Sequence, residues 1–228
     1  MKSIKIFSFF KNYLLLLVCL TLFSCKQELV LSNETDTLFE EISQNENWVA
    51  IVTELKNSKK LLKQKYKTKE NLAVALKEAE LILQKQELNE VDETKLSLLL
   101  GFATTVSMKR SIEKLTNNSR QLIDKFPELD KMDNSHKNKL FESALSITAL
   151  SEDKNLLNTR AITGHEEEDG YPCRNPDAEL ACNIKVTATA TAAMAGCAVT
   201  GPLAGFCAVM VLIAQGAGFA ECYSDHCK

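Results

Sequence analysis

Glycine, proline and cysteine are scarce over most of this chain. Only Gly101 and Pro127 occur before residue 161, and no cysteine lies between Cys25 and Cys173. A region with so few turn-forming residues lacks the regular turn signals of an all-β fold, and it contains no glycine-rich phosphate loop. The scarcity favours a helical fold for the larger part of the protein.

The chain also lacks a large excess of either positive or negative charge. The 27 basic and 30 acidic side chains are intermixed and sum to a formal charge of −3, so the sequence offers no basic face or stripe to nucleic acid. We expect no nucleic-acid partner. The segment Val186–Ala220, by contrast, contains no charged residue at all.

Residues suited to catalysis are few and isolated. His136 stands alone in the polar stretch DNSHKNK, and three serines of the middle region have no neighbouring base: Ser107, Ser111 and Ser119. The cysteines lack the close C-x-x-C pairs of zinc sites. We therefore predict no catalytic residue, no metal site and no cofactor, and we expect that the protein is not an enzyme.

The first 25 residues have the order of a secretory signal. Three lysines precede the apolar stretch Tyr13–Phe23, and Ser24 stands directly before Cys25. The apolar stretch is too short for a membrane span, which needs about 20 residues. Leu22-Phe23-Ser24-Cys25 resembles the lipobox of bacterial lipoproteins, in which the signal is removed and the cysteine is lipidated.

This resemblance implies a signal peptide over residues 1–24, lipidation of Cys25 and a polar tether over residues 25–35. Acyl chains on Cys25 would anchor the protein to membrane lipid, since each buried CH₂ contributes about 0.8 kcal/mol. Lys26, directly after the cysteine, implies the outer membrane of a cell envelope by the sorting pattern of these lipoproteins. In such an oxidising compartment the six cysteines from Cys173 onward are expected to form three disulfides.

Residues 36–158 show apolar side chains at helical spacing throughout. Residues with cap chemistry stand before two of the stripes: Thr35 or Asp36 before the first, and Thr68 before the stripe that begins at Leu72. The pattern predicts a bundle of five or six helices that bury their apolar stripes against each other.

Two further features of this region bear on its packing. The stripe that begins at Leu96 is expected to continue through Leu115, which would make one long helix. Trp48, the only tryptophan, is interpreted as a core anchor, with contact to a partner protein as the alternative.

The stretch TRAITGHEEEDGYP, residues 159–172, breaks every periodicity. It has four consecutive acidic residues and two glycines, which is typical of an exposed linker. Spacing is its simplest function. The alternative is proteolytic processing in the region marked by Arg160, Gly164 and Gly170, because cleavage concentrates at exposed polar linkers.

The cysteines of residues 173–228 are arranged symmetrically. Cys182 and Cys197 are 15 residues apart, as are Cys207 and Cys222, and both mirror pairs centre on Pro202. Gly201 and Pro202 end one helix and start the next, so the segment predicts two antiparallel helices over about residues 178–199 and 203–222.

Positions opposed across this hairpin are close enough for disulfides where small residues face each other. The predicted pairs are Cys197–Cys207, Cys182–Cys222 and Cys173–Cys227. The complete prediction is an all-α fold, with a helical bundle over residues 36–158 followed by a disulfide-stapled antiparallel helical hairpin over residues 173–228. The five consecutive apolar residues Val209–Ile213 need cover, and the bundle, a second copy or a lipid bilayer are the candidates.

The segment ACNIKVTATATAAMAGCAVTGPLAGFCAVMVLIAQGAGFAEC resembles the cysteine-rich C-terminal portions of halocin-type bacteriocin precursors. That resemblance implies a membrane-active hairpin, held covered until the linker is cut or another cell is contacted. The main hypothesis is a non-enzymatic envelope lipoprotein with a structural or protein-binding role and an envelope protein as its partner. An envelope enzyme would need convergent polar groups, for which the sequence gives no candidates.

Overall fold

The computed structural model describes residues 33–85, 87–160 and 176–226, with side chains over residues 37–85, 87–147 and 178–222. Within these ranges the chain forms nine α-helices and no strand, so the all-α prediction is confirmed. In chain order the helices are α1 Asn33–Ser43, α2 Glu46–Lys65, α3 Lys69–Leu83, α4 Glu90–Leu99, α5 Thr105–Lys125, α6 Glu128–Lys131, α7 Asn134–Arg160, α8 Pro176–Ala198 and α9 Ala204–His226. A 3₁₀ turn, Gly201–Leu203, joins the last two.

Side-chain caps fix the starts of several helices. The Asn45 carboxamide oxygen accepts hydrogen bonds from the backbone of Asn47 and Trp48, and Thr68 Oγ1 accepts one from Asn71 as the sequence predicts. Each bond satisfies an N–H that the first helical turn leaves without a partner. The predicted start of α1 is wrong, because the helix begins at Asn33, upstream of both proposed cap residues.

A break at Gly101 corrects the expected long helix from Leu96 to Leu115. Helix α4 ends at Leu99, where the chain forms a C-terminal cap. The Gly101 N–H donates a hydrogen bond to the Leu98 carbonyl, and the Phe102 N–H donates one to the Ser97 carbonyl. Gly101 has φ of +84°, and a side chain there would place its Cβ 3.1 Å from the Leu61 carbonyl carbon and oxygen. Glycine meets both requirements, and α5 starts anew at Thr105.

The hairpin of α8 and α9 lies at the centre of the fold. Helix α8 packs against α7, α5, α2 and α9, while α9 also packs against α3, α5 and α2. A helix with a long apolar stretch is stable in water only when other elements surround it, and α9 has that composition. The N-terminal helices and the hairpin therefore share one hydrophobic core.

Particular contacts show how closely the hairpin is enclosed. A Cβ at Gly216 of α9 would lie 3.0 Å from Leu62 Cδ1 and 3.2 Å from Leu76 Cδ1, so α9 approaches α2 and α3 closely at this glycine. The Gln215 carboxamide donates a hydrogen bond of 3.4 Å to the Leu55 carbonyl oxygen. The predicted bundle covers the apolar run of α9, of which four residues are buried: Val209, Val211, Leu212 and Ile213.

Candidate functional site: the stapled hairpin and its tip

Two disulfides join α8 to α9 in the described part of the chain. Cys182–Cys222 has its α-carbons 5.6 Å apart, and Cys197–Cys207 has them 5.4 Å apart. Both are pairs that the mirror symmetry about Pro202 predicts. The third predicted pair, Cys173–Cys227, lies outside the described residues, as do Cys25, Gly164 and Gly170.

Local hydrogen bonds shape the tip of the hairpin, which we define as residues 199–206. The Thr200 hydroxyl and backbone N–H both donate to the Cys197 carbonyl, at 2.7 and 3.1 Å. Gly201 adopts φ of +61°, which favours glycine, and Pro202 starts the 3₁₀ turn. The Cys197–Cys207 disulfide closes the turn directly below, so the tip is held in one conformation.

The tip exposes apolar side chains that the rest of the hairpin buries. Val199 is 57% exposed, Leu203 43% and Phe206 38%, whereas Cys197 is 1% exposed. A side chain at Gly205 would lie 3.8 Å from Ile112, so the tip emerges beside α5. The tip is uncharged, and its one hydroxyl, on Thr200, donates to the Cys197 carbonyl, so the tip offers mainly apolar contact.

The open end of the hairpin is tied to α2 by a cation. The Lys59 ammonium lies 4.7 Å from the centroid of the Phe219 ring, a distance at which the ring face attracts the charge. Burial lowers the pKa of Lys59, and the nearby Glu179 carboxylate opposes that effect. This contact holds the open end of the hairpin against the N-terminal helices.

A shallow groove between α1 and α7 is open to solvent. It is lined by Phe39, Glu40, Lys139, Glu142, Ser143, Ser146 and Ile147. Phe39 and Ile147 are its apolar lining residues, and the other lining side chains are charged or carry a hydroxyl. Among the described side chains, no group of three His, Cys, Asp or Glu residues is placed to hold a metal ion.

His136 and Trp48, which the sequence analysis considered as candidate functional residues, both have contacts that explain their positions. His136 lies on the surface, where its Nδ1 is 2.6 Å from Asp133 Oδ2 and its backbone N–H donates to Asp133 Oδ1. The backbone N–H of His136, followed by its ring, lowers the pKa of Asp133. Trp48 is fully buried, as expected of a core anchor, with its ring centroid 4.9 Å from that of Phe141.

The middle-region serines have structural roles or surroundings. Ser107 completes the capping box of α5 with Thr104, and the hydroxyls of Ser111 and Ser119 are buried without a hydrogen-bond partner among the described residues. Arg160 is the last residue of α7, so this helix reaches two residues past the predicted end of the bundle.

Helices α3 and α4 form a surface that was not predicted from the sequence. Four apolar side chains on these helices are exposed: Val74, Leu81, Val91 and Leu98. Val74 and Leu81 fall outside the stripe that begins at Leu72, and apolar residues off a predicted stripe are the signal that indicates such a surface.

The chain matches no protein-family model, no curated protein and no solved structure. Its function is therefore argued from its own residues and their arrangement.

Proposed function

We propose that this protein is a non-enzymatic envelope lipoprotein, anchored to the outer membrane through lipid on Cys25, with a structural or protein-binding role. The lipobox supports the anchor, and the enclosure of the hairpin supports the role. The hairpin forms the centre of the helical fold, so the cysteine-rich segment stabilises the same unit that carries the exposed surfaces.

The enclosure of α8 is the observation that carries this proposal. Thr191 and Met194 are fully buried between the N-terminal helices and α9, and Ala188 is equally inaccessible. Removal of the hairpin would expose the whole centre of the bundle to water, at a cost of about 25 cal/mol for each Å² of apolar surface. A rigid stapled core is suited to a stable scaffold or binding module.

Mass spectrometry of the mature protein from cells, without reduction, tests the proposal. We expect an acylated Cys25 at the N-terminus, an uncut chain between Arg160 and Cys173, and disulfides within the hairpin. The variant Cys25→Ala is the control, and it should carry no acyl chain while keeping its helical circular dichroism. An unmodified Cys25 in a mature protein that is free in solution would contradict the lipoprotein function.

A membrane-active hairpin is the second candidate. In the described part of the chain, one helical stretch, Gly201–Cys222, is long and apolar enough to cross a membrane by length and composition, although 56% of its 18-residue apolar portion is buried within the protein. Burial in a core accounts for the same apolar character. A full chain with an engineered protease site in residues 161–175 separates the two functions: leakage of vesicles only after cutting would support membrane activity, and intact vesicles would oppose it.

A further inference from the structure

The surface of α3 and α4 carries a repeated pattern. Val74, Glu78 and Leu81 on α3 have the spacing i, i+4, i+7, and the same spacing occurs on α4. Residues so spaced lie on one side of a helix. We define the α3–α4 face by these six residues: Val74, Glu78, Leu81, Val91, Lys95 and Leu98.

Ion pairs place the two halves of this face side by side. The Glu78 carboxylate pairs with the Lys95 ammonium across the helices, and both side chains are about half exposed. The Lys85 ammonium pairs with Asp92 near the loop that joins the helices. Residue numbers rise on one helix as they fall on the other, so α3 and α4 are antiparallel.

The antiparallel arrangement fixes which apolar residues are neighbours. Val74 lies level with Leu98 at one end of the face, and Leu81 lies level with Val91 at the end near the loop. The central ion pair separates these two apolar ends. The six residues of the face are therefore apolar at both ends and charged at the centre, and the Lys65 ammonium, which donates to the Leu98 carbonyl, lies beside one end.

The α3–α4 face exposes four apolar side chains. Val91 is 74% exposed, Val74 68%, Leu81 56% and Leu98 45%. Together they present roughly 400 Å² of surface, in two patches that the Glu78–Lys95 ion pair separates. This total is about half of what each partner contributes to a standard interface of about 1,600 Å², so it fits a weak, reversible association.

We propose that the α3–α4 face binds the same face of a second copy of this chain. The charges identify the occupant, because Glu78 of one copy can oppose Lys95 of the other, and the reverse contact forms at the same time. A two-fold axis parallel to the helices creates this arrangement. It also places Val74 against Leu98 of the second copy, and Leu81 against Val91.

The charges also select the orientation of the dimer. A two-fold axis across the helices would bring Glu78 against Glu78 and Lys95 against Lys95, and like charges in contact oppose association. The parallel axis gives two intermolecular ion pairs between two apolar contacts. This dimer goes beyond the proposed lipoprotein function and does not require the lipid.

Sedimentation equilibrium of the full chain in a mild detergent tests the dimer. The detergent shields the apolar N-terminal stretch equally in every variant. We expect the average protein mass to rise from 25.4 kDa toward twice that value as the concentration increases over about 10 to 500 μM. A mass that stays at that of one chain over this range would overturn the proposal. The same result is expected if a lipid surface or another protein, rather than a second copy, occupies the face.

Two charge reversals make the test specific. Glu78→Lys and Lys95→Glu each place like charges across the homodimer, and each should weaken dimerisation on the order of tenfold or more. An equimolar mixture of the two variants restores opposite charges at both contacts, so it should form a heterodimer. The proposal fails if the mixture associates no better than either variant alone, since both variants lose the same internal ion pair.

A matched pair of apolar substitutions provides the control. Val74 on the face and Val106 on α5 are both 68% exposed. Val74→Glu should abolish the dimer, whereas Val106→Glu should leave it unchanged, and the helical circular dichroism of both should equal that of the parent protein. Equal effects of the two substitutions would show that association does not use the α3–α4 face.

Discussion

Removal of the Cys182–Cys222 disulfide should destabilise the whole protein rather than the hairpin alone. The double substitution Cys182→Ala and Cys222→Ala opens the base of a hairpin whose helices α8 and α9 lie at the centre of the fold. Because the hairpin and the N-terminal helices share one core, we expect them to unfold together.

The expected loss follows from the length of the closed loop. In the chain-entropy model, a crosslink between residues 40 apart stabilises by about 3.9 kcal/mol, and one between residues 10 apart by about 2.7 kcal/mol. The second value applies to Cys197→Ala with Cys207→Ala. Cys222 and Cys197 are both 1% exposed, so the two double variants lose similar buried contacts and differ mainly in loop length.

Urea unfolding followed by tryptophan fluorescence measures the effect. Trp48 is the only tryptophan and lies on α2, far in sequence from both disulfides, so it reports on the N-terminal helices alone. With a slope of about 2 kcal/mol per molar urea, the midpoint should fall by about 2 M for the Cys182–Cys222 variant and about 1.3 M for the other.

An unchanged fluorescence midpoint would refute this reasoning. If circular dichroism showed a separate early loss of helix while the Trp48 signal kept its midpoint, the hairpin would be an independent unit attached to a self-sufficient bundle. Equal shifts for the two double variants would instead contradict the loop-length argument.

Two other predictions concern single residues. Gly101→Ala should destabilise the protein by about 2 kcal/mol or more, since φ is +84° and the new Cβ would lie 3.1 Å from the Leu61 carbonyl. Gly196→Ala, in a helix with open space around it, should stabilise the protein by about 0.5 to 1 kcal/mol. Thermal unfolding checks both, and a stabilised Gly101→Ala would contradict the turn geometry. The hydrogen bond from Lys85, the largest cause, lowers the pKa of Asp92 below 3.8, so its stabilising contribution is present above that pH and is lost as the pH falls through the lower folded-state pKa. Asp92→Asn should therefore reduce the melting temperature at pH 7 more than at pH 2, and the same difference at both values would argue against the linkage.

Local signals predicted the helices and their order well. Thr68 caps α3, and the mirror positions about Pro202 are joined by Cys182–Cys222 and Cys197–Cys207. These features depend on residues close in sequence or on a symmetric spacing about one turn. The prediction of Thr35 or Asp36 as the cap of α1 was wrong because Ser32 and Asn33, just upstream, also have side chains able to cap a helix.

Long-range contacts decide two features that were not predicted from the sequence: the break at Gly101 and the exposed surface of α3. The apolar stripe from Leu96 to Leu115 passes through Gly101, and its left-handed conformation, together with the close backbone of Leu61, divides the predicted helix in two. The core-facing side of α3 is the predicted stripe, in which Leu76, Ala79 and Leu83 are buried, and Val74 and Leu81 lie outside that stripe; that no neighbouring helix covers them is decided by the tertiary structure.

The sequence by itself determined that this chain is helical and that its last segment folds into a hairpin with opposed cysteines, because helix periodicity, caps and turn residues act over a few positions. Only the tertiary structure decided that the hairpin occupies the centre of the fold and that its tip and the α3–α4 face remain exposed. By composition alone, the uncharged segment Val186–Ala220 is compatible with a bilayer or with a protein interior. The apolar stripes of α2, α3, α5 and α7, which meet around the hairpin, make the protein interior its environment.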